Sequence, residues 1–347
     1  MSDPEEDLIL LTGATGYVGS HVLDSLVRQG YRVVVSVRTR AQENRIRERY
    51  SSYDRLAYVV IEDVVEEHCF DLVLKFNPTI SHVIHLATPR LRYHISNKSQ
   101  LFDPVIKANT NMISAIQSYG HSVKLLVIGS CFAAMLNNPP RLSDPRKIYS
   151  SRDVNLISKE DAVMHEYNAY VGAKTFAETY AWKHYSDLLG PHFSMICITL
   201  PMVFGPIIHD VDWNNPSTLN DSIKYVYDLL HSDSVSPFPF PFPFYVDVRD
   251  AALAYVKAIQ HFPCTTNRWF VASNNVSSQH VVDILLKEFP YLSSSLPKGV
   301  PGNGDKELLQ QCTFDTTDTD DLVGTNYIKL ENTIIDMFNS FPQDANL

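Results

Sequence analysis

The chain has 347 residues, 45% of them apolar and 20% charged, with a formal net charge of −10. At roughly 150 residues per domain this is about two domains, or one large domain with an added lobe, and the apolar share supports a substantial core. The acidic balance argues against a nucleic-acid or anionic-membrane binder, which needs a basic face to meet phosphate.

Taken in chain order, Asp7-Leu-Ile-Leu-Leu-Thr12 reads as a fully buried strand. Ser20 to Arg28 then sets Val22, Leu23, Leu26 and Val27 on one helical face, and Gly30 supplies a stop. Further strands are expected at Arg32 to Val37, Leu56 to Ile61, Ile80 to Ala87, Lys124 to Gly129 and Ser194 to Thr199, with helical patterns between most of them. A long helix is expected over His165 to Tyr185. Continuous apolar strands separated by helices predict an α/β fold, a Rossmann-type doubly wound parallel sheet covered on both faces. After residue 200 the regularity fails, and prolines and asparagines increase. The expected organisation is a nucleotide-binding domain over 7–200 with a return segment at 244–262. A smaller C-terminal substrate-binding lobe would be built from 201–243 and 263–345.

Pro237-Phe-Pro-Phe-Pro-Phe-Pro-Phe244 is low-complexity and cannot be an inner strand, because each proline fixes φ and lacks an N–H. A stiff linker returning the chain to the main sheet is the favoured reading, and an aromatic lid over a pocket the alternative. The five cysteines (69, 131, 197, 264, 312) form no Cys-x-x-Cys pair, which excludes a zinc ribbon or a disulfide framework and fits the reducing cytoplasm. No metal is expected. Met1 to Asp7 is acidic without an apolar run, so no signal peptide is expected, and the longest apolar stretch, Leu125 to Leu136, is too short to span a bilayer.

Gly13-Ala-Thr-Gly16-Tyr-Val-Gly19 stands between the first strand and the first helix. The first glycine permits the tight turn, the second lets a pyrophosphate approach the backbone, and the third lets helix and strand pack closely. The helix N-terminus then offers free N–H groups to the phosphates. At the tip of the second strand, where an NAD site would carry a carboxylate, the chain reads Val37-Arg38-Thr39-Arg40. Arginine suits a 2′-phosphate, so NADP(H) is expected over NAD(H). Tyr170-Val-Gly-Ala-Lys174 puts a phenol and an ammonium on one helical face. The positive charge favours phenolate, which suits Tyr170 to donate a proton during hydride transfer. A third partner is expected at the end of the strand Leu125 to Gly129, within Ser130-Cys131-Phe132.

The glycine motif, His85-Leu-Ala-Thr-Pro89, Asn168 to Glu178, Val203-Phe-Gly-Pro206, Tyr245 to Asp250 and Val282 to Pro290 together resemble the extended short-chain dehydrogenases/reductases. Within them the chain is most similar to the fungal NADPH-dependent methylglyoxal/isovaleraldehyde reductases, kin of the plant dihydroflavonol reductases. The resemblance implies reduction of aldehydes or ketones to alcohols, with Tyr170 as proton donor and Lys174 on the nicotinamide ribose. It implies NADPH contacts from Gly13, Thr15, Gly16, Tyr17, Val18 and Gly19, then from Arg38, Asp63, Val64, Ala87, Tyr170, Lys174, Met202 and Val203. Arg90, Phe132, Tyr167 and Met202 are the expected substrate-pocket residues. The family usually reads Thr-Ser-Ser-(Tyr)-Ala-Ala after the strand. Aligned on Ala133-Ala134, Ser130 takes the first serine position and Cys131 the catalytic one. A thiol is a weaker donor than a hydroxyl, so an NADP-binding protein with weak or no catalysis is the alternative reading. A small carbonyl substrate is the expected partner, and the chain is expected to act as a monomer or homodimer.

Overall fold

A computed structural model describes residues 4–89, 101–232, 234–264, 266–324 and 326–342. In chain order the first half runs β1 (Leu8–Thr12), α1 (Tyr17–Arg28), β2 (Arg32–Val37), α2 (Arg40–Arg49), β3 (Leu56–Val60), α3 (Asp71–Phe76), β4 (Ile80–His85), α4 (Asp103–Tyr119) and β5 (Leu125–Cys131). Next come β6 (Ile148–Ser150), α5 (Lys159–Ala162), α6 (Glu166–Ser186), β7 (Ser194–Leu200), β8 (Met202–Phe204), α7 (Asp221–Leu230), β9 (Phe244–Asp247), α8 (Val248–Gln260) and β10 (Arg268–Phe270). The remainder is β11 (Asn274–Asn275), α9 (Ser278–Glu288), α10 (Gly304–Leu308), β12 (Thr313–Asp315), α11 (Thr317–Val323) and α12 (Leu330–Asn339).

Seven strands form one parallel sheet in the order β10-β7-β5-β4-β1-β2-β3. The alternation of side chains along each strand separates two cores. Ile9, Leu11, Val33, Val35, Leu125, Val127, Ile196 and Ile198 face the layer of α1 and α8. Leu8, Leu10, Val34, Leu126, Ile128, Met195 and Cys197 face the layer of α3, α4 and α6. The strand order reverses at β1 and β4, where the crevice outside the strand ends is the usual ligand position of such sheets.

The return segment expected at 244–262 is divided. Its strand, β9, pairs with β8 and β11 in a separate three-stranded sheet, whereas its helix, α8, packs against α1 on the main sheet. The strand that rejoins the main sheet is β10, pairing with β7 through Trp269 and Phe270. Three residues are too few for an apolar period to show, so β10 escapes sequence reading. Asp247 caps α8 by accepting from the Arg249 N–H at 2.8 Å. Its buried carboxylate also receives the Arg249 guanidinium and the Thr333 hydroxyl, which ties β9 and α8 to α12. A buried carboxylate is tolerated because each oxygen is paired.

Candidate active site

Gly13 follows β1 at φ +76°, and a Cβ there would lie 2.6–2.8 Å from backbone atoms of Leu86 and Ala87. A Cβ at Gly19 would lie 2.0 Å from the Gly13 carbonyl oxygen. Both glycines are therefore required by packing between loop, helix and the neighbouring strand end. Gly16 differs: a Cβ there would meet only the Gly13 oxygen, at 3.4 Å. Its other side opens to solvent beside Thr15 and the N-terminus of α1, which has no side-chain cap and no acidic residue in its first turn. Free N–H groups beside an uncrowded glycine fit the pyrophosphate of a dinucleotide.

Other candidate cofactor residues follow the ends of the neighbouring strands: Arg38 after β2, Asp63 and Val64 after β3, and Ala87 after β4. Thr12 locks the glycine loop in place, accepting from the Leu86 and Ala87 N–H groups at 3.2 and 3.1 Å and sharing a 2.8 Å hydrogen bond with His85. The Ala87 N–H is thus already engaged by protein. Tyr17 points away from the groove: its buried hydroxyl donates to the Gly205 carbonyl at 2.7 Å, joining α1 to the loop after β8, which leaves only its backbone as a candidate cofactor contact. Val18 is half-buried. Arg38 is exposed just beyond β2, with no carboxylate partner among the described residues. Arg40 is bound at 2.6 Å to Glu43, so of the two arginines Arg38 is the one available for phosphate. Asp63 is exposed, its carboxylate accepting from Val65, and Val64 is buried beside it.

Across the crevice, β5 and α6 bring the catalytic candidates together. The Tyr170 hydroxyl lies 3.4 Å from Cys131 Sγ, and Lys174 Nζ is 5.7 Å from the centre of the Tyr170 ring. Burial pushes the Cys131 thiol up from its ordinary pKa, with the Lys174 charge opposing, so the sulfur stays protonated. Ser130 faces elsewhere. Its hydroxyl donates to Glu178 on α6, and Glu178 is paired at 2.6 Å with the Arg268 guanidinium. Of the two candidates from the Ser130–Cys131 pair, Cys131 is the one that meets the phenol.

A cleft of about 390 Å³ opens beside Tyr170, lined by Glu166, Tyr167, Pro201, Met202, residues of α7, Pro241 and Phe242. Met202 and Tyr167 of the expected pocket residues are present, and burial raises the Tyr167 hydroxyl to about 12. Val203 is buried, its N–H held by the Ser222 hydroxyl. Phe132 is a correction: it is fully buried among Tyr149, Phe242, Phe244 and Phe270, because the chain turns inward into a 3₁₀ turn straight after Cys131. Arg90 lies outside the described residues. The Phe-Pro run is also corrected. It is more than a linker, since Phe238 and Phe240 pack on Tyr225 and Phe204 while Pro241 and Phe242 wall the cleft. Sequence reasoning missed α7, which supplies Asp221, Ser222, Lys224, Tyr225 and Asp228. Its signal was present: Asn220 caps the helix through Ile223, and Ile223, Val226, Leu229 and Leu230 form its buried face.

The sheet order, the glycine loop and the Tyr170–Lys174 pair define an oxidoreductase scaffold of the dinucleotide-binding class. The family model described as "NAD dependent epimerase/dehydratase family" matches residues 9–268, and the chain belongs to that family. It is 33% identical to an uncharacterized oxidoreductase of Schizosaccharomyces pombe over 84% of this chain and 85% of that protein. It is 28% identical to an NADPH-dependent methylglyoxal reductase of Saccharomyces cerevisiae, over 94% of this chain and 96% of that one. The crystal structure of Gre2 from Candida albicans in complex with NADPH superposes with a TM-score of 0.88 at 28% identity, covering 96% of this chain and 98% of that chain.

Proposed function

We propose that the chain is an NADPH-dependent carbonyl reductase, converting an aldehyde or ketone to the alcohol. The observation that carries the reading is the Tyr170 hydroxyl, which lines the cleft while lying 3.4 Å from Cys131 and one helical turn from Lys174. Bound NADPH supplies the hydride. The groups suited to hold it are the N–H donors around Gly16, the Arg38 guanidinium and Lys174. Tyr170 gives its proton to the carbonyl oxygen as negative charge develops there, and the Lys174 ammonium stabilises the phenolate left behind. The Cys131 thiol donates a weaker hydrogen bond to the same oxygen. Pro201, Met202 and Phe242 exclude water and orient the substrate's apolar arm. The five cysteines are all free, which fits a reducing compartment, and the enzyme is read as cytoplasmic and acting as a monomer or homodimer.

The test is NADPH oxidation over a panel of aldehydes and ketones, set beside NADPH binding measured alone. Turnover of at least one carbonyl is expected, and tight binding without turnover overturns the reductase. Cys131 favours a second reading, a cofactor-binding protein with little catalysis. Losing an oxyanion donor costs about 3 kcal/mol in the transition state. The thiol still donates weakly, so only part of that cost is recovered when a hydroxyl replaces it, and Cys131→Ser is expected to raise kcat/KM by about ten-fold or more. A serine variant no faster than wild type removes the thiol as the cause of any weak activity.

A further inference from the structure

Behind the reacting groups lies a polar relay that the mechanism above does not use. Tyr170, Lys174 and Glu178 recur every four residues on α6 and so share one helical face. Glu178 is 6% exposed and accepts from Ser130 on one oxygen while its other oxygen holds Arg268 Nε at 2.6 Å. The guanidinium is aimed by carbonyls: its Nη1 donates to Ser151 at 3.0 Å and to Asp153, and its Nη2 reaches Ala134 at 3.4 Å. Two pieces of chain therefore meet on one carboxylate, the end of β5 and the first residue of β10, and the segment after β6 joins them through the guanidinium.

Ser130 and Cys131 are consecutive at the end of β5, yet each is held by α6, one through Glu178 and one against Tyr170. The two holds are eight residues apart on the helix. One alone would let the strand end pivot about its contact, whereas two fix both its position and its direction. A donor and a general acid must keep their separation to a fraction of an ångström to act on one oxygen.

We infer that Ser130, Glu178 and Arg268 are positioning residues, which hold Cys131 at working distance from the Tyr170 phenol. The inference rests on the reductase reading for its kinetic consequences but not for its geometry. Ser130 is the informative position, because removing its hydroxyl leaves the buried Glu178–Arg268 pair intact and so spares the fold. Ser130→Ala is expected to lower kcat about ten-fold, with KM and the NADPH dissociation constant changed less than about two-fold. Ser130→Thr, which keeps the hydroxyl, is expected to restore most of the rate. In a Cys131→Ala background the Ser130→Ala change is expected to lose its effect, since the contact it maintains is already gone. An equal loss in both backgrounds means that Ser130 itself touches the substrate or merely supports the fold, and overturns the inference.

A second measurement needs no activity. Alkylation of Cys131 by iodoacetamide, followed by peptide mapping, is expected to quicken about five-fold in Ser130→Ala and to stay at the wild-type rate in Ser130→Thr. Unchanged alkylation in Ser130→Ala overturns the inference. A wild-type protein that reduces no carbonyl defeats the reductase reading, and the alkylation rates still decide the tether.

Discussion

In the proposed reaction Tyr170 and Arg38 do separable jobs, and their variants are expected to fail in separable ways. Tyr170→Phe removes one hydroxyl from a half-buried ring at the cleft and leaves the cofactor groove untouched. Turnover is expected to fall about 10²-fold or more, the scale of a lost general acid, while NADPH affinity and melting temperature hold. A phenylalanine variant with wild-type turnover places the proton source elsewhere. Arg38 is proposed to act on binding alone. Its exposed guanidinium has no carboxylate partner among the described residues, and a charge-assisted contact to a 2′-phosphate is worth about 1.4 kcal/mol or more, ten-fold in affinity. Titration of both cofactors is expected to show that preference for NADPH over NADH, and Arg38→Ala to erase it. Equal wild-type dissociation constants for the two cofactors exclude a 2′-phosphate contact.

The turn between β1 and α1 predicts different outcomes for glycines three residues apart. Gly19→Ala drives a methyl into the Gly13 carbonyl, a backbone atom that cannot step aside, and is expected to destabilise the protein by about 3 kcal/mol in urea denaturation. Gly16→Ala meets only ordinary contact, so stability is expected to hold while NADPH affinity falls about ten-fold or more. A Gly16 variant with full affinity refutes the close approach of phosphate to this backbone. Such elements were legible in the sequence because local chemistry determines them. Apolar runs marked β1, β2, β4, β5 and β7, and glycine spacing marked the loop. The spacing of Tyr170 and Lys174 marked their shared face on α6. What stayed hidden was set by tertiary partners. Phe132 sits next to Cys131 in sequence but turns into the core, since four aromatic neighbours stabilise it there more than the cleft could. Ser130 and Cys131 could not be told apart until Glu178 and Tyr170, from another element, claimed one each. The Phe-Pro run read as a spacer by composition, and only its packing on Phe204 and Tyr225 made it a wall.

Across the whole molecule, buried histidines set the response to acid. Burial lowers His85 to about 4 from an ordinary value near 6.5, and His209 to about 4; His82 is lowered too. Each is neutral in the fold, and the unfolded chain binds the proton more readily. Their contribution is complete above pH 6.5 and is lost as pH falls from there towards 4, about 3 kcal/mol at most for the fully buried His85. Asp250 works against them. Burial raises its carboxyl to about 6, so the fold gains stability from it as pH falls through that value. Four lowered histidines, His21 being the fourth, outweigh one raised aspartate, and urea midpoints are expected to fall between pH 7 and pH 5. In Asp250→Asn the opposing contribution is gone, so the acid loss is expected to steepen while stability at pH 7 rises. A midpoint that is flat from pH 7 to pH 5 in both proteins means that these histidines titrate normally.

The placement of β10 bears on how the protein is made. The sheet's outer strand arrives only at residues 268–270, after the chain has left β7 at Leu200 and passed through β8, α7, β9 and α8. On a ribosome moving at about 5–20 residues per second, the N–H and C=O row along β7 waits several seconds for its partner. That row is an open pairing template throughout the wait. A fragment ending at the apparent domain boundary near residue 200 would keep the template permanently, and would recruit other chains to it. The nucleotide-binding half is thus continuous in space but not in sequence, and it matures only once nearly four-fifths of the polypeptide has been synthesised.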